Sequence, residues 1–145
     1  MRQELIKIFN RDLDKLISQI QLFENEEDLW LLRNDISNSP GNLCLHIAGN
    51  LQHFIGHVLG KTDYVRDREL EFSSKNVPKQ DLIKQLEKTK LVVAESLTSL
   101  NDDVLKEDYP INVFKEVNTV GFFLIHLSTH LNYHLGQINY FRRLL

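Results

Sequence analysis

Three histidines at a spacing of four and four limit this chain more than any other feature. His126, His130 and His134 lie in the stretch LIHLSTHLNYHLGQINYFR, residues 124–142. Successive residues of an α-helix turn by about 100°, so residues four apart lie about 40° off one line. A helix here projects all three imidazoles along one side, with Gln137 on the same stripe. Neutral imidazoles at i and i+4 form a two-point grip for a divalent metal. The plainer alternative is that the three rings decorate the interior of a helix bundle.

A second stretch repeats the arrangement. His46, Asn50, His53 and His57 fall within ~60° of one another on a helix running from about Pro40 to Leu59. The rest of that helix is Leu43, Leu45, Ile47, Leu51, Phe54, Ile55 and Val58. A polar strip on so apolar a rod needs partners if it is buried. A metal is one way to supply them, with one histidine from this helix and an i,i+4 pair from the later one.

The remaining chain reads as helices of similar length. Residues 2–24 place Ile6, Phe9, Leu13, Leu16, Ile17, Ile20 and Phe23 on one stripe. Arg11, Asp12, Asp14 and Lys15 fall between them, mostly towards water. The segment Asn25–Asp28 breaks the pattern, and Trp30 reads as a plug where the first connection folds over the bundle, or alternatively as a ligand-stacking ring. Ser39 before Pro40 is an N-cap with proline at the first helical position. Pro78 opens helix three, which carries Leu82, Leu86, Val93, Leu97 and Leu100 and presents Glu87 and Glu95 to water. Asn101–Asp103 ends it. Residues 104–119 form an irregular connection, with Val113, Phe114 and Val117 available to cover one end of the bundle. Asn118 or Thr119 caps helix four, whose Arg142 and Arg143 suit the negative end of its dipole.

Two segments invite sharper readings. Gly56–Thr62, GHVLGKT, looks like a phosphate loop but has three residues between its glycines where that motif needs four, and no strand precedes it. Gly60 reads as a helix C-terminal glycine. Lys61–Phe72, KTDYVRDRELEF, is a mixed-charge connection. It is either a solvated loop held by local ion pairs or a place from which Arg66 or Arg68 orients an anionic ligand at the bundle mouth.

Composition sets the bounds. The chain has 145 residues, 42% hydrophobic and 26% charged, which suits one globular domain over residues 1–145. A net charge of −3 without a basic block argues against nucleic acid as a partner. The lone Cys44 allows no intrachain disulfide and fits a reducing, cytoplasmic setting. The charged N-terminus lacks a signal-peptide core, and no run approaches the roughly 18 apolar residues of a membrane span. Six glycines and three prolines favour helices. The expected fold is all-α, a four-helix bundle with a metal site between helices two and four.

Three segments together carry a family resemblance. They are Asn42-Leu43-Cys44-Leu45-His46-Ile47-Ala48-Gly49-Asn50, Arg66-Asp67-Arg68-Glu69-Leu70-Glu71-Phe72, and His130-Leu131-Asn132-Tyr133-His134-Leu135-Gly136-Gln137-Ile138. They resemble the DinB-like superfamily of metalloenzymes, closest to its branch with an N-L-x-x-H-x-x-G-N helix and an H-x-x-x-H-x-G-Q helix. The resemblance spans residues 30–142. It implies a four-helix bundle in which His46, His130 and His134 converge on one divalent metal, Zn or Ni. His53 is then a reserve ligand, and His57 and His126 do not match ligand positions. Gln137 supports a ligand or the backbone, and Asn50 is a partner for an imidazole N–H. Some relatives are transferases or isomerases that use low-molecular-weight thiols such as bacillithiol or mycothiol, and dimers are common among them. The resemblance therefore implies thiol transfer to an electrophilic small molecule and a homodimer. The alternatives are a hydrolase using His53 or His126 as general base, and a non-catalytic module stabilised by its metal.

Overall fold

A computed structural model describes residues 1–145. Ser39 starts the helix on which the site depends: its Oγ accepts from the Asn42 backbone N–H at 3.2 Å, and Pro40 occupies the first helical position. Helix α2 (Pro40–Leu51) follows, after α1 (Arg2–Gln21) and a short 3-10 turn (Glu26–Trp30). A short helix α3 (Arg68–Ser73) precedes α4 (Lys79–Thr98), and a second 3-10 turn (Asp102–Lys106) leads towards α5 (Val120–Arg143). Thr119 caps α5, its side chain accepting from the Phe122 N–H at 3.1 Å. The four long helices are those expected from the apolar spacing, and the fold is an all-helical bundle.

Helix α1 packs on α4 and α5, and α2 packs on the same two. The apolar stripes meet in one connected core that includes Phe9, Leu13, Ile47, Leu86, Leu124 and Ile138. Trp30 lays its ring against the start of α2, where a Cβ on Gly41 would come within 2.8 Å of it. That is the plug expected over the first connection. No helix is long and apolar enough to cross a membrane.

Several local expectations are corrected. Asp12 faces inward, 1% exposed; it pairs with Arg11 at 2.8 Å and accepts from Asn132 Nδ2 at 3.1 Å, tying α1 to α5. Helix two does not run to Leu59 as a plain α-helix. It passes into a π-helical turn, Gln52–His57, where the Val58 N–H bonds to the His53 carbonyl, five residues back, at 3.0 Å. The Phe54 carbonyl in that turn accepts from the buried Tyr109 hydroxyl at 2.6 Å. The wider turn breaks the four-residue phase that placed His53 and His57 in line with His46.

Gly60 does not take the left-handed conformation of a C-terminal glycine. Lys61 does, at φ 59°. A Cβ on Gly60 would come within 2.1 Å of Ser96 Oγ, so glycine is required there by the close approach of α4. In the 104–119 connection, Phe114 reaches the His126 ring at 4.9 Å, whereas Val117 stays 57% exposed and covers nothing.

Candidate metal centre

Helix α5 supplies His130 and His134, and α2 supplies His46. One nitrogen from each lies within 4.8 Å of the others. His130 Nε2 stands 3.3 Å from His46 Nε2 and 3.1 Å from His134 Nε2. A single ion with bonds of about 2.05 Å at tetrahedral angles holds its ligands about 3.3 Å apart, which matches the two spacings at His130.

Proton bookkeeping sharpens the fit. His46 Nδ1 lies 3.0 Å from Glu71 Oε1, and an ionised carboxylate only accepts, so Nδ1 carries the hydrogen and Nε2 presents a bare lone pair. His134 Nδ1 donates to Gln137 Oε1 at 2.7 Å, which leaves its Nε2 bare as well. His130 Nε2 therefore faces two lone pairs and has at most one hydrogen to offer. The donor set suits a cation. Burial, and then the neighbouring imidazoles, push His130 down to about 4; burial also lowers His134 against the opposing Gln137 hydrogen bond. Both rings are neutral near pH 7, as ligands must be.

The main residue missed by the sequence reading is Glu71. The segment 61–72 reads as a solvated connection, but residues 68–73 form α3 and Glu71 is 6% exposed. Its two oxygens take Arg66 Nε at 2.8 Å and Nη2 at 2.9 Å while Oε1 also holds His46. Burial works to raise the Glu71 carboxyl, yet the hydrogen bonds from His46 and Arg66 outweigh it and hold it below the usual range. Asn42 fixes α3 from below: its Nδ2 donates to the Glu71 and Ser74 carbonyls at 2.9 and 2.8 Å. Gly49 makes room, because a Cβ there would sit 2.0 Å from Glu71 Oε2. A glycine inside an apolar helix, one turn past His46, was the sequence signal for this close approach.

The other candidates divide. Gln137 touches His134 as expected. Asn50 does not serve His46; Glu71 takes that place, and the buried Asn50 Oδ1 has no hydrogen-bond partner. His53 stacks on His57 at 5.9 Å and meets Phe54 at 4.8 Å, away from the three ligand nitrogens. His57 is exposed, and its Nδ1 donates to the Thr62 carbonyl at 2.7 Å. His126 stands beside the trio, its ring 6.3 Å from that of His130. Arg66 is spent on Glu71, and Arg68 lies over the Phe72 ring at 5.2 Å. Arg66 is therefore committed to Glu71, whereas the exposed Arg68 makes no ion pair.

A family profile described as "Protein of unknown function (DUF1572)" matches residues 1–145. The chain belongs to that family. No curated protein is similar enough to count as a match. In this DUF1572 chain, Glu71→Gln keeps the shape behind His46 but removes the charge. Zn(II) affinity, measured by competition with a chromophoric chelator, is expected to fall on the order of tenfold. Unchanged affinity would show that the carboxylate does not tune the ring.

Proposed function

We propose that this DUF1572 chain is a DinB-like metalloprotein, one domain over residues 1–145, in which His46, His130 and His134 hold Zn(II) or Ni(II). The observation that carries the reading is the meeting of three imidazole nitrogens, two of them with their hydrogens committed elsewhere. The set has three members and no fourth His, Cys, Asp or Glu. Three ligands leave one position open, which favours a catalytic over a purely structural centre. When bound, such an ion supplies Lewis acidity that lowers the pKa of a thiol or water placed beside it.

The reaction that fits best is transfer of a low-molecular-weight thiol to an electrophilic small molecule. The new carbon–sulfur bond forms as the leaving group departs with its electron pair, and the thiol proton passes to solvent. The chain's own Cys44 cannot be the nucleophile, since it is 1% exposed and burial pushes its thiol up to about 12. The hydrolase alternative is weaker. It needs a free general base; Glu71 is held by Arg66 and His46, and His53 is stacked on His57, which leaves only His126, 6.3 Å from His130, for that role.

Elemental analysis of protein purified without a metal-affinity tag tests the centre. About one divalent ion per chain is expected in the wild type, with loss in His46→Ala, His130→Ala and His134→Ala and retention in His53→Ala. Retention in His46→Ala with loss in His53→Ala would move the ligand. If metal-loaded protein leaves bacillithiol conjugation unchanged across varied electrophiles, the transferase reading fails.

A further inference from the structure

Beside the metal centre lies a groove of about 690 Å³, within the size range of small-molecule sites. One wall is the 35–38 connection with Pro40 and Leu43. The other is the C-terminal half of α5, with Tyr133, Tyr140 and Phe141. His134 and Gln137 line the groove too, so it shares a wall with the centre. Tyr133 and Tyr140 are 65% and 66% exposed, so two aromatic rings stand largely open along it. Its only acidic lining residue is Asp35, and no lysine or arginine lines it. The guanidinium of Arg66 is already paired with Glu71.

We propose that this groove binds the uncharged aromatic body of a small-molecule substrate and directs its reactive end towards the His134 edge. The proposal rests on the metal-centre reading for its chemistry, while the groove's own selectivity stands apart from it. The apolar wall and aromatic rings reward burial of a flat hydrocarbon surface. A carboxylate or phosphate would lose water beside Asp35 and gain no cation in return. The groove therefore selects against anionic electrophiles.

The test uses the full chain, first stripped of metal, with 4-nitrobenzamide and 4-nitrobenzoate as matched probes followed by titration calorimetry. The amide is expected to bind on the order of tenfold tighter than the benzoate. Gly136→Trp then fills the groove. A Cβ at Gly136 meets nothing within 4 Å, so the backbone there has room for a side chain to start. It should weaken the amide on the order of tenfold and leave zinc stoichiometry unchanged. Asp35→Lys should narrow the gap between amide and benzoate. In Co(II)-loaded protein the amide should shift the visible absorption, because His134 belongs to both sites.

Equal binding of the two probes, amide binding indifferent to Gly136→Trp, or an unchanged spectrum of bound Co(II) would overturn the proposal. So would amide binding that weakens as protein concentration rises, the result expected if a second copy covers Tyr133 and Tyr140. Selective amide binding in a chain that takes up no zinc when zinc is supplied would instead uphold the groove and sink the metal reading.

Discussion

Gly49→Ala is expected to lower the melting temperature by about 6 °C and to weaken Zn(II) binding by about ten- to a hundredfold. An alanine in a helix interior is ordinarily worth about 1 kcal/mol over glycine. Here its Cβ would stand 2.0 Å from Glu71 Oε2 and 2.6 Å from Glu71 Cδ. The carboxylate cannot swing aside cheaply, because Arg66 and His46 hold both of its oxygens. Unseating a buried, paired charge costs about 3 kcal/mol or more, so the net loss is about 2 kcal/mol. The double-mutant cycle with Glu71→Ala isolates the cause. In that background the clash is gone, and Gly49→Ala should stabilise. If it destabilises in both backgrounds, some contact other than Glu71 requires the glycine.

Zinc should raise the melting temperature by about 10 °C at pH 7.5 when present at about a thousandfold excess over its dissociation constant, equivalent to about 4 kcal/mol. That gap should close in acid. The His130 imidazole is pushed from an ordinary 6.5 down to about 4 in the metal-free fold, first by burial and then by the adjacent rings. Between those values the unfolded chain binds more protons than the folded one. The part of the metal-free protein's stability linked to His130 is therefore whole above pH 6.5 and is lost as pH falls towards 4. Protons compete with metal only once the folded rings titrate, so bound zinc should persist somewhat below the pH at which a free histidine would release it. Scanning calorimetry of loaded and chelator-treated protein across this range checks both statements. A gap under about 2 °C at pH 7.5 would mean that no ion is held tightly by the fold.

The ligand candidates were legible for a simple reason. An i,i+4 pair is a local feature, and helical phase alone places His130 and His134 together. Pairing them with His46 drew on the resemblance of the three segments, since phase on α2 left His53 equally eligible. The structure separates the two through the π-helical turn at 52–57, which no apolar spacing announces. Asp12 was misread because a carboxylate between apolar positions usually faces water, and its partner Asn132 lies 120 residues away.

What the amino-acid order determined by itself was set by near neighbours: the four amphipathic rods, the Ser39 cap, and the imidazole stripe of α5. These follow from backbone geometry repeated every three or four residues. Only the tertiary structure decided which carboxylate stands behind His46. Glu71 is buried because Asn42 anchors α3 and Gly49 lets it approach, and its charge is stable there because Arg66 arrives with it. Each of those contacts joins residues distant in the chain or on separate elements, and their value depends on water being excluded from all of them at once.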